Sequence, residues 1–244
     1  MKPQALVLTC EHGGARVPSG YRRIFEGKAA RKALGSHRGS DLGALRLAQS
    51  LKRAFRAPLF ASTVTRLLVD LNRSVGHPGL WSEFSRGLDR TERSAVLARH
   101  YFPHRQAVES WIDERVRRGH QVVHVGVHSF APSVGGRRRA ADLGLLYDPS
   151  RRDERAFCSR WKHALNTSDS ELCVRRNFPY LGRSDGFVTY LRKAFGPRQY
   201  LGIELEANQS LLESRHGQQR AAESVIASLR TLIPGETRSS TGEP

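Results

Sequence analysis

The chain has 244 residues, 40 of them Lys or Arg against 23 Asp or Glu, giving a formal net charge of +17. That length suits one large α/β domain and does not require two. No run of about eighteen apolar residues occurs, so no segment reads as membrane-spanning. Met1-Lys2-Pro3-Gln4 leads straight into a short apolar strand, without the longer apolar core of a signal peptide, so the cytoplasm is the expected compartment. Cys10, Cys158 and Cys173 are odd in number and lack C-x-x-C spacing, which argues against a disulfide scaffold or an all-cysteine metal site. The basic excess permits nucleic-acid binding. Its charges are scattered, however, with only short runs such as Arg137-Arg138-Arg139, and no nucleic-acid motif accompanies them. Surface solvation and attraction of anions are expected, not a dedicated nucleic-acid partner.

In chain order, Ala5 to Cys10 is an apolar run halted by Gly13-Gly14 and Pro18, and reads as a buried strand ending in a turn. From Asp41 to Phe55, Leu42, Leu45, Ala48, Leu51 and Phe55 recur at helical spacing, opposite Arg46, Gln49, Lys52 and Arg53, with Ser40 as N-cap. Pro58 to Val69 reads as one or two strands. Thr91 to Arg118 is a long helical stretch, with Glu92 three residues past Asp89 and with Val96, Leu97, Val108, Trp111, Ile112 and Val116 on one face. Pro103 is expected to break or kink it. Gln121 to Ser129 and Asp142 to Tyr147 read as strands, Arg151 to Asn166 as a helix, Tyr200 to Asn208 as a strand, and Ser210 to Leu232 as a helix interrupted near Gly217. Residues 235–244 are polar and read as a disordered tail. Apolar strands separated by helices imply an α/β fold with a largely buried sheet flanked by helices.

Ligand sites in open α/β sheets collect where strands end. Glu11-His12, His128 and the pair Glu204 and Glu206 all stand at such ends. A lone histidine there is commonly structural; two of them, with a carboxylate to hand, have the makings of a metal site that leaves a coordination position for water. Asp41, at a helix start, is the candidate carboxylate, unless it is an ordinary N-terminal helix acid. Glu204 and Glu206 are two apart and so face one side of their strand, with Ile203 and Leu205 on the other. Either acid beside a metal-bound water would serve as general base, or both pair with arginines. Arg66 and Asp70-Leu71-Asn72-Arg73 supply guanidinium and amide donors suited to a small carboxylate. The plainer reading is a salt bridge between Asp70 and Arg73.

Taken together, Thr9-Cys10-Glu11-His12-Gly13-Gly14, His37-Arg38-Gly39-Ser40-Asp41, Arg66 with Asp70-Leu71-Asn72-Arg73, His128-Ser129 and Glu204-Leu205-Glu206-Ala207-Asn208-Gln209 resemble the N-formylglutamate amidohydrolase family, in order and over almost the whole chain. The Asp-Leu-Asn-Arg run is also similar to the aspartoacylase segment whose Asn and Arg contact substrate. The resemblance implies a mixed sheet with helices on both sides, zinc carboxypeptidase-like (phosphorylase/hydrolase-like), with residues 1–234 as the catalytic domain. It implies one Zn2+ held by His12, His128 and a carboxylate. Ala15 stands where zinc carboxypeptidases place that carboxylate, so Asp41 is the expected substitute, with Glu11 as the alternative. Glu206 matches the family's Glu-x-Asn segment as general base, Glu204 being the alternative, and Arg66 is the expected oxyanion donor. Asn72 and Arg73, together with Tyr180 from the Asn177-Phe178-Pro179-Tyr180 loop, are expected to bind a small acyl amino acid with a free carboxylate. The implied reaction is hydrolysis of N-formyl-L-glutamate to formate and L-glutamate. The alternatives are a metallo-carboxypeptidase, a deacylase for another N-acyl amino acid, or a non-catalytic anion-binding protein. Cys10, Glu11 and the double glycine depart from the better-known N-formylglutamate hydrolases.

Overall fold

The valines at 122, 123, 125 and 127 fall in the central strand and are fully buried, as a β-branched run covered on both faces should be. The structure, a computed structural model, describes residues 2–233; the tail expected to be disordered lies outside them. The strands are β1 (Gln4–Cys10), β2 (Leu59–Ala61), β3 (Gln121–Phe130), β4 (Ser133–Val134), β5 (Arg137–Arg138), β6 (Leu143–Leu146), β7 (Val174–Arg176) and β8 (Tyr200–Asn208). Six form one sheet in the order β2-β1-β3-β8-β6-β7, while β4 and β5 make a small separate hairpin. β2, β1, β3 and β8 run parallel; β6 is antiparallel to β8 and parallel to β7. The sheet is therefore mixed and mostly parallel.

The helices are α1 (Lys28–Leu34), α2 (Ala44–Phe55), α3 (Arg90–Val96), α4 (Phe102–Arg117), α5 (Arg152–Ser168), α6 (Phe187–Ala194), α7 (Gln209–Leu212) and α8 (Arg215–Arg230). α2, α5 and α8 cover one face, where Leu47 and Leu51, Trp161 and Phe157, and Val225 and Leu229 meet Val123, Val125, Ile203 and Leu205. α4 and α6 cover the other, where Val108, Ile112, Phe187 and Leu191 pack on Val7, Val122 and Tyr200. A third cluster joins a 3-10 turn at Ser19–Phe25 and α1 to Val64, Leu67, Leu68, Val69 and Leu71.

Several expectations shift. α2 begins at Ala44, not Asp41, with Gly43 as its N-cap at φ +82. A side chain at Gly43 would be strained and would place its Cβ 2.7 Å from Leu212 Cβ. Leu42 is accordingly exposed, and Ala44, Leu47, Ala48 and Leu51 form the buried stripe. Only Leu59–Ala61 of the 58–69 run is a strand, because Leu67, Leu68 and Val69 pack into the third cluster through a turn instead of a ladder. Asp89 and Glu92 form a reciprocal capping box at α3. Before Pro103, the chain widens to a π turn at Leu97–Tyr101, where Phe102 N–H donates to Leu97 O; this absorbs the amide hydrogen that proline lacks. The last helical stretch breaks at Glu213-Ser214 and not at Gly217, whose amide is capped by Ser214 Oγ at 3.0 Å. Among the described residues no helix is long and apolar enough to cross a membrane.

Candidate functional site

Parallel β3 and β8 end level, with Phe130 opposite Asn208, and β1 ends earlier, with Thr9 opposite Gly126. Val123, Val125 and Val127, like Ile203 and Leu205, point into the α2/α5/α8 core, which turns His124, Gly126 and His128 and Gly202, Glu204 and Glu206 to the opposite face. His128 pairs in register with Glu206, and Gly126 with Glu204. His12 follows β1 directly. Asp41 comes from the segment ahead of α2 and is fixed by its amide, which donates to His12 O at 2.9 Å.

His12, Asp41 and His128 each offer one ligand atom, and these lie within 4.8 Å of one another, all buried. Asp41 Oδ2 is 3.3 Å from His12 Nδ1 and 2.8 Å from His128 Nδ1. Each imidazole has a carboxylate at its other nitrogen. Asp70 Oδ1 is 2.7 Å from His12 Nε2. Glu11 Oε2 is 3.2 Å from His128 Nε2, out of line for a hydrogen bond, so that nitrogen is buried without a partner. Arg66 clamps the two aspartates, reaching Asp41 Oδ1 at 3.3 Å and Asp70 Oδ2 at 2.8 Å. Two imidazoles and a carboxylate, with acids behind both rings, are a donor set that fits a zinc-like divalent ion.

Charge explains the proton affinities. Burial alone would raise the Asp41 carboxyl, but His12 and His128 hold it well below the usual carboxylate range. Burial likewise opposes ionisation of Asp70, yet Arg66 and His12 hold it low. His128 would be lowered by burial and is instead raised well above its ordinary value by Asp41 and Glu11. Glu206 behaves differently. Burial dominates and pushes its carboxyl up to about 8, opposed by His128, and its Oε2 has no hydrogen-bond partner. Glu204 is already engaged: Asn72 Nδ2 donates to its Oε1 at 3.0 Å.

The expected carboxylate donors also have partners within the protein. Asn72 Oδ1 accepts from Phe187 N–H at 2.6 Å, and Arg73 Nη1 donates to the Asp185 carbonyl at 2.5 Å. The salt bridge expected of Asp70 exists, but with Arg66 and His12, not Arg73. Tyr180 is exposed, and its hydroxyl accepts from Arg139 Nη1 at 3.1 Å. Sequence reasoning missed His124 and His104. His124 lies beneath the site between Thr9 Oγ1 at 2.8 Å and Tyr200 Oη at 2.6 Å, and burial pushes it down to about 4, so the ring is neutral. Its alternation with His128 along Val-His-Val-Gly-Val-His was the available signal. His104 stands 3.5 Å from Glu11 Oε1 from α4, and no local pattern marks it.

The sequence matches the N-formylglutamate amidohydrolase family over residues 4–213. Among curated proteins none matches significantly. The crystal structure of gene product Atu2144 from Agrobacterium tumefaciens is 30% identical, covering 93% of this chain and 90% of that one at a TM-score of 0.77. The fold is shared with the N-formylglutamate amidohydrolase of Ralstonia eutropha JMP134, 19% identical over 95% of this chain and 93% of that one, with a TM-score of 0.69. With the family match spanning most of the chain, this protein belongs to the N-formylglutamate amidohydrolase family.

Proposed function

We propose a metal-dependent amidohydrolase that cleaves the amide of an N-acyl amino acid bearing a free carboxylate, with N-formyl-L-glutamate, split to formate and L-glutamate, as the first substrate. The observation that carries this reading is the convergence of His12, Asp41 and His128 beside a buried Glu206 with an unpartnered oxygen. His12, Asp41 and His128 would hold the ion. A bound divalent ion, zinc by the donor set, would polarise the scissile carbonyl and acidify water.

The chain's own groups supply the rest. Glu206 would take the proton of the attacking water as the C–O bond forms, then deliver it to the amide nitrogen as the C–N bond breaks. Its burial suits the second half of that task, since a carboxyl pushed up to about 8 holds a transferred proton well, and the charge of a bound cation nearby would favour the carboxylate needed for the first. Arg66 would keep Asp41 and Asp70 in place; its side chain is 27% exposed, and that open edge would face the carbonyl oxygen. Asn72 would act by fixing Glu204 and the start of α6. Arg73 would steady the Asp185 turn beside the site, and Tyr180 would line its mouth.

The test is zinc content of protein purified without added metal, together with formate release from N-formyl-L-glutamate. Stoichiometric zinc with release supports the reading in full. Zinc with release only from other N-acyl amino acids, or from peptides, moves the substrate to the deacylase or carboxypeptidase alternatives. Failure to take up zinc even when it is offered back overturns the metalloenzyme and leaves an anion-binding protein.

A further inference from the structure

Arg139 presents a guanidinium with open donors. Arg66 is offset by Asp41 and Asp70, whereas Arg139 has no carboxylate partner among the described residues; its side-chain hydrogen bond goes to the neutral Tyr180 hydroxyl at 3.1 Å. Its guanidinium carbon lies 5.0 Å from the Tyr180 ring centroid and 5.9 Å from that of Phe130. Such rings orient a guanidinium without neutralising it. The main chain is held too. Arg139 N–H donates to Pro132 O at 2.8 Å, and Asn208 Nδ2 donates to Arg139 O at 3.4 Å. Only Arg139 Nη1 is engaged by Tyr180, so the rest of the fork is open to an anion.

Its place in the sheet says which anion. Phe130 and Asn208 pair in register, two residues beyond His128 and Glu206 on the same face. Two residues of strand advance about 6–7 Å. The amide to be cleaved belongs at the His128–Glu206 level, so Arg139 waits one layer farther out. In an N-acyl glutamate, the α-carboxylate is two bonds from the amide nitrogen and the side-chain carboxylate is four. The outer layer suits the second.

We propose that Arg139, oriented by Tyr180 and Phe130, is a specificity residue that receives the side-chain carboxylate of an acidic N-acyl amino acid. This rests on the amidohydrolase reading above and adds the origin of its selectivity. The arrangement favours a di-acid substrate over its neutral amide, because a guanidinium fork pairs two ways with a carboxylate and only weakly with a carboxamide.

The experiment compares zinc-loaded wild type, Arg139→Gln and Arg139→Lys with N-formyl-L-glutamate and N-formyl-L-glutamine, after zinc content and circular dichroism show all three folded. The wild type should prefer the glutamate substrate. Arg139→Gln should cut that preference about tenfold or more, chiefly through KM for the glutamate compound, with partial recovery in Arg139→Lys. Preference unaltered in Arg139→Gln, or a wild type that cleaves the glutamine compound as well as the glutamate one, overturns the proposal while the hydrolase stands. Should neither compound be cleaved, the hydrolase reading for these substrates fails, and calorimetry of L-glutamate against L-glutamine decides for Arg139. Selective glutamate binding lost in Arg139→Gln upholds the residue's role; equal binding of the two by wild type overturns it.

Discussion

His128 and Glu206 stand opposite each other in register on adjacent parallel strands, one pulled toward its charged form by the acids around it and the other pushed toward its neutral form by burial. Both environments raise proton affinity, the imidazole's through the surrounding carboxylates and the carboxyl's through loss of solvent. On the proposed reading His128 would hold the ion and Glu206 would exchange protons.

Glu206→Gln should keep the fold and zinc content and lower kcat by about 10²–10⁴, the usual contribution of a positioned acid–base group. The amide is close in shape but cannot carry the proton. Steady-state formate release with parallel zinc analysis checks this, and near-normal turnover would pass the role to Glu204.

Asp70→Asn should weaken zinc binding about 10–100-fold while leaving His12, Asp41 and His128 themselves intact. Asp70 Oδ1 lies 2.7 Å from His12 Nε2, and its charge favours the ring orientation that turns Nδ1 toward Asp41. Competition with a chelator measures it; affinity equal to wild type would make Asp70 merely a partner of Arg66.

His124 gives a pH signature in metal-free protein. Burial lowers its pKa from 6.5 to about 4. Above the higher value both folded and unfolded rings are neutral and the group is silent. Between the two values the unfolded ring binds a proton that the folded ring refuses, so stability falls as pH falls, by about 3 kcal/mol in total. Denaturant titrations of wild type and His124→Gln from pH 7 to pH 4 should show a shallower decline in the variant. Identical slopes would refute the neutral, buried imidazole.

Arg192→Met probes the scaffold behind the site. Glu154 is fully buried and accepts from Arg192 Nε at 3.0 and 3.1 Å, from Gly202 N–H at 3.1 Å and from Asp148 N–H at 3.0 Å. Removing the guanidinium leaves the buried carboxylate with only Arg151 Nη1, at 3.6 Å, as a cationic partner among the described residues, which should cost up to about 3 kcal/mol. Thermal and urea unfolding report the loss, and zinc affinity of the folded fraction should stay near wild type because this cluster does not touch the ligands.

The legible parts of the chain were those with local cause. Val122 to Val127 announced a doubly covered strand, the alternation around Ile203 and Leu205 put Glu204 and Glu206 on one face, and Pro103 marked the irregular turn before α4. Arg66 to Val69 misled, because apolar residues that pack against a side cluster look the same in sequence as apolar residues in a ladder. The closeness of Gly144 to the 177–186 segment was equally hidden: a Cβ there would meet Phe178 O at 2.0 Å, a contact between residues that share no local pattern.

By itself the sequence determined which strands are buried and which side chains share a face, because alternation and turn chemistry act over a few neighbouring residues, while the grouping of His12, Asp41 and His128 as one ligand set rested on the family resemblance. Only the tertiary structure decided how the charges pair. It joined Asp70 to His12 and Arg66, engaged Asn72 with Glu204 and Arg73 with Asp185, and left Arg139 bonded to the Tyr180 hydroxyl with no carboxylate partner among the described residues. Ion pairing depends on distances of a few ångströms between segments far apart in the chain, and in a protein with 40 Lys and Arg residues the sequence offers each carboxylate many partners.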